Sequence, residues 1–494
     1  MDSRSLLSND SGKITYLGRT CHLSLRSREL FVFDAAEKRV IKIISFASVV
    51  GSKAFLSSNE QDLSDLKVYD YKFDETKYLF CFQRKKYRKC ETVNFQFADG
   101  ATCQQWSNAI NNMILSEFQL PTDVQSYSSE EDGTSPSQNH LSLAPRPKRF
   151  IVFVNPISGQ GLATSIWKNQ IEPMMTQSGS EVKLVITQYA NHARDIMEDF
   201  DPSAYDCIMA VGGDGLLSEI INGLSARSKG DGEHMLRTVS VAPIPGGTGN
   251  GLIKSILHEC GEELSVINAV FMALKGHPEF MDLSNVETCS RSYRSFLLLG
   301  WGLISDIDLL SERWRCLGEL RLHLAAVYFI LLKRFYRGRL SIYTGDTNHS
   351  QSRHQSLVSL PPFNETIIEG DGWEVIDDYF LFVWVVQTSH VSASMYSGPG
   401  VASNDGMFTV YVVTEMSRFE VLQLLLVMDT GDHVNHPKVK TFKCTAYRIE
   451  PHSEASSQGL YTLDGEMIEY GPIQAIMRPA SARIMKMNSQ SSQS

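Results

Sequence analysis

The sequence predicts an α/β chain in three parts: a small β-rich module, a doubly wound α/β lobe, and an antiparallel β second lobe. Three observations carry this. Residues 148–281 alternate strand-type and helix-type segments, and their strands are unbroken apolar runs of the kind buried in a parallel sheet. Residues 282–480 change texture to longer strand-type segments with few helices. Residues 1–120 carry short Val-, Ile-, Phe- and Tyr-rich segments broken by turns, and a polar stretch at 121–147 separates them from the rest. The length of 494 residues suits about three domains at ~150 residues each.

Composition narrows the class. Hydrophobic residues at 43% and charged residues at 21% exclude a disordered or collagen-like chain. The 46 Lys and Arg against 56 Asp and Glu leave a net charge of −10, which argues against a non-specific nucleic-acid binder. The nine cysteines are scattered, with no C-x-x-C pair, so neither a disulfide framework nor a zinc ribbon is expected. The start, MDSRSLLSNDSGK, lacks an apolar signal core. The apolar runs Leu324–Leu332 and Tyr379–Val386 fall well short of the ~20 residues of a spanning helix. A cytoplasmic protein in a reducing compartment is expected.

In the first module the strand-type segments are Lys13–Leu17, Glu29–Asp34, Val40–Ser45, Tyr78–Gln83 and Thr92–Ala98. The helical pattern ATCQQWSNAINNMILSEF follows, with Trp106, Ile110, Met113 and Ile114 on one face and Asp99 placed to cap it. A small β module closed by one helix with an inward Trp resembles a pleckstrin-homology domain. The basic run Gln83–Lys89, QRKKYRK, reads either as a solvated hairpin tip or as a contact for anionic lipid headgroups. Residues 121–147 are rich in Ser, Pro, Asp, Glu and Gln and read as a disordered linker whose serines are candidate phosphorylation sites.

The α/β lobe begins with strand Phe150–Val154. Helix Leu162–Gln177, strand Lys183–Thr187, helix Ala190–Asp199 and strand Asp206–Val211 follow, and then a helix from about Leu216. Beyond Met281 come strands Ser295–Gly300, Leu340–Thr344, Tyr379–Thr388, Met407–Val413 and Lys440–Glu450, interrupted by apolar helices Leu317–Tyr336 and Arg418–Asp429. The polar, Ser- and Gln-rich end, 481–494, is expected to be a disordered tail. There is no internal repeat.

Three loops stand where an open α/β sheet binds its ligand, at strand ends leading into helices. They are NPISGQG (Asn155–Gly161), GGDG (Gly212–Gly215) and PIPGGTGNGL (Pro243–Leu252). Glycines let backbone N–H groups approach phosphate oxygens, and helix N-termini favour the negative charge. A single such loop is equally a tight turn, whereas three within about 100 residues point to phosphate chemistry. None follows the G-x-x-x-x-G-K-[ST] pattern or an initial G-x-G-x-x-G.

Together these motifs resemble the diacylglycerol-kinase-type catalytic domain. GGDG with Glu219 and Asn222, and PGGTGN, mark that superfamily. GWGLISDIDLLSERWRCLGELRL (Gly300–Leu322) and LYTLDGE (Leu460–Glu466) are similar to the sphingosine kinases in particular. The resemblance covers roughly residues 148–480. It implies a nucleotide-binding α/β lobe, a lipid-binding second lobe, and ATP-dependent phosphorylation of a sphingoid base with Mg²⁺. By the same resemblance Asp214 is the general base, and Gly212, Gly213, Gly215 and Asp308 meet the lipid substrate. Asp308 faces its ammonium and neighbouring hydroxyl. ATP is implied to meet Asn155, Pro156, Ile157, Thr187, Gln188, Tyr189, Ala190, Asn191, Glu219, Gly247, Thr248 and Gly249. Arg315 and Arg321 would supply guanidinium forks to its phosphates. Asp464, Gly465 and Glu466 form the C-terminal carboxylate element. No dedicated metal cage is expected, because Mg²⁺ takes few carboxylates along with water and phosphate oxygens.

The chain departs from the family at Ile157, where a basic residue is frequent, and at Gly212, where Ser is frequent. The missing phosphate contact at Ile157 would fall to Lys168, Arg194 or backbone. The resemblance further implies peripheral association with intracellular or plasma membranes, and it leaves a homodimer open. Ceramide kinase, diacylglycerol kinase and a catalytically dead lipid-binding adaptor remain as alternatives.

Overall fold

The computed structural model describes residues 7–8, 14–26, 28–57, 63–74, 86–116, 146–247, 249–312, 320–332, 334–345, 359–452 and 459–488. The chain is a mixed α/β protein, and the described residues form three sheets. It divides into two compact units. One comprises residues 1–149 with 170–182 and 270–277, and the other comprises 150–169, 183–269 and 278–494.

The first unit is built on an eight-stranded antiparallel sheet. Its order is Val40–Ser45, Glu29–Asp34, Arg19–Arg26, Ile14–Tyr16, Tyr87–Phe97, Ser64–Asp74 and Val49–Phe55, with Leu7–Ser8 beside Arg19–Arg26. The sequence reading missed Arg19–Arg26, Val49–Phe55 and Ser64–Asp74. In the first and last of these the inward residues (Cys21, Leu23 and Leu25; Leu66 and Val68) alternate with polar ones, so the signal is period rather than composition. Helix Gly100–Ser116 buries Cys103, Trp106, Ile110 and Ile114 against that core. Asp99 caps it, accepting hydrogen bonds from the Ala101 and Thr102 amides at 3.1 and 2.8 Å. The expected strand Tyr78–Gln83 lies outside the described residues, as do Arg84, Lys85 and all but the last two residues of the expected linker 121–147.

The rest of the basic run is not a hairpin tip. Lys86 precedes strand Tyr87–Phe97, and the Arg88 guanidinium lies 4.1 Å from the Phe73 ring centre and 3.7 Å from that of Phe271. Two further bonds tie the sheet to the later segments of the same unit. The buried Lys275 donates from Nζ to the Phe46 carbonyl at 2.8 Å, and the Tyr71 hydroxyl bonds Gln177 Oε1 at 2.7 Å. Gly51 is required at this joint, because a Cβ there would fall 2.0 Å from the Gln177 carbonyl oxygen.

The second unit holds a ten-stranded sheet ordered Glu181–Ile186, Arg149–Val154, Cys207–Gly212, Ser240–Pro245, Ile473–Lys486, Ala446–Pro451, Tyr336–Tyr343 and Trp373–Phe380. His277–Thr288 and Ser292–Ser295 branch from the Ile473–Lys486 strand. Cys207–Gly212 runs parallel to both Arg149–Val154 and Ser240–Pro245. The strand order around Arg149–Val154 puts the topological switch point, where open α/β sheets bind ligands, between the first and third strands of the lobe. A six-stranded antiparallel sheet follows the order Lys440–Cys444, Phe408–Val413, Phe382–Val386, Leu298–Gly302, Tyr461–Leu463 and Glu466–Ile468.

Several expected elements take a different form. Helix Leu162–Gln177 is interrupted by a π-helical turn at Trp167–Ile171 before Glu172–Gln177, whose Pro173 has no N–H to continue the ladder. The expected strands Tyr379–Thr388 and Lys440–Glu450 are each two strands in different sheets, changing sheet at Leu381 and Thr445. Helix Leu317–Tyr336 is described as Leu320–Leu332, and Tyr336 opens a strand instead.

The expected tail at 481–494 is ordered through Asn488. Strand Ile473–Lys486 buries Ala482, Ile484 and Met485 and pairs in parallel with Ser240 and Val241. One sheet therefore runs through both regions that the expected boundary at 281/282 would separate.

Candidate active site

Three loops leave the carboxyl ends of adjacent strands and pack backbone against backbone. A Cβ on Gly159 would lie 2.4 Å from the Gly246 carbonyl oxygen, and one on Gly247 would lie 2.6 Å from Gly213 Cα. The Gly246 amide donates to the Gly212 carbonyl at 2.9 Å. Only glycine allows this approach, and Gly159, at φ 60°, also needs its conformational freedom. The structure thus brings together the first loop, Gly212, Gly213, Gly247 and Asp214. Thr248 and Arg315 lie outside the described residues, and Arg321 falls in the first turn of helix Leu320–Leu332.

Asp214 opens helix Asp214–Ser225 and is buried. Its Oδ2 accepts the Gly251 amide at 2.8 Å and its Oδ1 the Leu252 amide at 3.2 Å, at the start of helix Gly251–Glu259. Burial raises its carboxyl above the ordinary 3.8, while these amides pull it back. Asn250, left-handed at φ 58°, locks the loop: Nδ2 donates to the Gly247 carbonyl at 2.7 Å, and Oδ1 accepts the Gly247 amide at 3.3 Å.

One turn further along the same helix, Glu219 caps another helix. Its Oε2 accepts the Ala193 amide at 3.2 Å, at the start of His192–Asp199. Burial pushes the Glu219 carboxyl up, and the amides of Asn191, Ala193 and Arg194 pull it down. Asn191 is left-handed at φ 69°. Thr187 is buried and bonds the Val154 carbonyl through its amide at 2.9 Å, whereas Gln188, Tyr189, Ala190 and Asn191 are exposed. Asn155 Oδ1 accepts the Ile157 amide at 3.1 Å; Pro156 is half-buried, and Ile157 is 77% exposed.

The D-G-E element is a hairpin turn whose two carboxylates differ. Asp464, at φ 51°, is buried and accepts four bonds: Ser295 Oγ at 2.8 Å, the Leu297 and Leu298 amides at 3.0 Å, and the Phe296 amide at 3.3 Å. Burial pushes its carboxyl up to about 6. Glu466 is exposed beside the GGDG loop, since a Cβ on Gly215 would lie 3.2 Å from Glu466 Oε1. Gly465, at φ 86°, makes the turn between Asp464 and Glu466. Asp308 is half-buried on helix Leu303–Glu312.

Sequence reasoning singled out Asn222 but missed the partners that hold this region together. Asn222 pairs with both backbone groups of Arg294, at 2.8 and 3.0 Å, and Ser295 is further bonded by Gln387 Nε2 at 3.1 Å. No local pattern announces such partners, which lie 70 or more residues away.

A chain with this cluster of glycine loops and a buried carboxylate at the C-terminal edge of an α/β sheet matches two family models. The diacylglycerol kinase catalytic domain matches residues 149–286, and the YegS C-terminal NAD kinase beta sandwich-like domain matches residues 350–486. The class is therefore a lipid kinase, which uses ATP as phosphoryl donor. Sphingosine kinase 2 of Arabidopsis thaliana is 30% identical over 348 residues, covering 68% of this chain and 72% of that protein. Sphingosine kinase 1 of Mus musculus is 30% identical over 353 residues, covering 68% and 91%. The chain belongs to the sphingosine kinase family. A crystal structure of a diacylglycerol kinase from Bacillus anthracis aligns with TM-score 0.45 at 16% identity, covering 69% of this chain and 97% of that one.

Proposed function

We propose that the chain transfers the γ-phosphoryl group of ATP to the primary hydroxyl of sphingosine and related sphingoid bases, giving the sphingoid base 1-phosphate and ADP. The observation that carries this reading is Asp214, buried where the glycine loops meet and oriented by the amides of a helix N-terminus. As general base it accepts the hydroxyl proton while the oxygen attacks the γ-phosphorus and ADP leaves. The raised carboxyl brings its basicity toward neutral pH, and the two amides keep it oriented.

The close-packed glycine loops present backbone N–H groups to the nucleotide phosphates, together with Asn155, Thr248, Arg315 and Arg321. Glu219 contributes by fixing the loop 187–191 through the helix it caps. Mg²⁺ would neutralise charge on the phosphates, and the exposed Glu466 is the carboxylate that would hold it, whereas Asp464 is buried and takes four protein donors. Asp308 pairs with the ammonium of the sphingoid base, a group that ceramide and diacylglycerol lack.

Among the described residues no helix is long and apolar enough to cross a membrane. A lipid surface is reached instead through two neighbouring helices, Leu320–Leu332 and Arg418–Leu426, joined where Arg418 Nε donates to the Ile330 carbonyl at 3.2 Å. They expose Val327 (50%), Leu331 (65%), Phe419 (67%) and Leu426 (63%).

Purified protein with Mg-ATP and a panel of sphingosine, phytosphingosine, ceramide and diacylglycerol, with products identified by mass, tests the substrate. Phosphorylation of ceramide or diacylglycerol alone sinks the reading. Asp308→Ala is expected to weaken use of sphingosine while sparing ATP binding.

A further inference from the structure

The helix Leu303–Glu312, which carries Asp308, does not stand free. Its first turn is tied to the strand leading into the D-G-E turn. Ser305 is fully buried, and its Oγ lies 2.9 Å from Oγ1 of Thr462, which is equally buried. Gly300 makes that meeting possible, because a Cβ there would lie 2.7 Å from Ser305 Oγ and 2.9 Å from Thr462 Oγ1. The next residue, Asp306, is buried as well. Its Oδ2 accepts the Tyr336 hydroxyl, and its Oδ1 faces the Leu460 amide at 3.4 Å.

The hairpin has its own anchorage. Tyr461–Leu463 pairs with Leu299–Trp301, and Asp464 is clamped onto 295–298. The polar contacts of Ser305 and Asp306 are thus a separate attachment of the helix to an already fixed hairpin.

We propose that Ser305 and Asp306 are positioning residues that set the place of Asp308 relative to Glu466, and so the register of the lipid headgroup against the nucleotide side of the site. This rests on the sphingoid-base reading above. Neither residue touches substrate. Asp306 holds the helix to the Tyr336 strand and to Leu460, and Ser305 holds it to Thr462. Loss of either lets the helix shift while the hairpin, and with it Glu466, stays in place. Displacements of about an ångström at such a site are costly, because binding geometry is set by groups that do not react.

The test uses the full chain and four variants: Thr462→Val, Thr462→Ser, Ser305→Ala and Tyr336→Phe. The readouts are kcat, KM for sphingosine, KM for ATP and thermal midpoint. Thr462→Val keeps the shape and removes the hydroxyl. Its KM for sphingosine is expected to rise about three- to tenfold, the loss of one buried hydrogen bond, with KM for ATP within about twofold. Ser305→Ala and Tyr336→Phe should show the same split, and Thr462→Ser should restore it. An unchanged KM for sphingosine in Thr462→Val, or an equal rise in both KM values tracking a lower thermal midpoint, overturns the proposal. If the wild-type chain phosphorylates only another lipid, the substrate reading fails by itself, and the split in that lipid's KM still decides whether the latch exists.

Discussion

Asp214 and Asp464 are two buried aspartates held by backbone amides, and the difference between them lies in where their donors stand. Asp214 meets the Gly251 and Leu252 amides at a helix N-terminus among the glycine loops. Asp464 takes three donors on Oδ1 and one on Oδ2, all from residues 295–298. The first arrangement fixes a carboxylate among the glycine loops. The second saturates the carboxylate and turns it into a clamp. Burial raises both carboxyls, so an elevated pKa alone does not distinguish a base from a strut.

The largest expected effect breaks the comparison at its reactive end. Asp214→Asn should lower kcat by about 10²- to 10⁴-fold while leaving the far-ultraviolet circular dichroism spectrum intact. Turnover within tenfold of wild type would remove Asp214 as the base.

Asp464→Ala should do the reverse in kind. Leaving buried donors unpaired costs about 1–3 kcal/mol for each group that finds no water, so a clear drop in denaturation midpoint is expected. A variant as stable as wild type would show that the clamp carries no load.

The pH dependence sharpens the contrast. The folded carboxyl of Asp464 titrates near 6, above its ordinary 3.8. The unfolded chain therefore loses this proton first as pH rises, and stability from the protonated form, full below about 3.8, is lost as pH climbs through about 6. The stability of wild type relative to Asp464→Asn should fall between pH 4 and pH 7 in denaturant titrations. A flat difference would contradict the burial argument.

The smallest effect concerns the space around Asp214. A Cβ on Gly249 would lie 2.9 Å from Asp214 Oδ2. Gly249→Ala should tilt the carboxylate and reduce kcat several-fold, measured by steady-state kinetics.

The glycine loops were legible in the sequence because their requirement is local. Backbone that packs on backbone can only be glycine, and Gly159, Gly213 and Gly247 declare it. The alternation of strands and helices was legible for the same reason. The sheet changes at Leu381 and Thr445 were not, because a continuous apolar run looks the same whether one sheet or two bury it. Asp464 and Glu466 were read as one motif, since nothing between residues 460 and 470 tells which carboxylate faces Ser295. Within the basic run, Arg88 finds Phe73 and Phe271, one of them 183 residues away in sequence, which no local pattern announces.

The parallel pairing of Arg483 and Ile484 with Ser240 and Val241 has a consequence for biosynthesis. The strand that flanks Ser240–Pro245 is made roughly 240 residues later, so at about 5–20 residues per second that edge emerges on the order of 10–50 s before its neighbour exists. During translation the sheet beneath the third glycine loop carries an open edge, a template for unwanted pairing. Its completion awaits synthesis of Ile473–Lys486, which makes that strand the keystone of the sheet beneath the glycine loops.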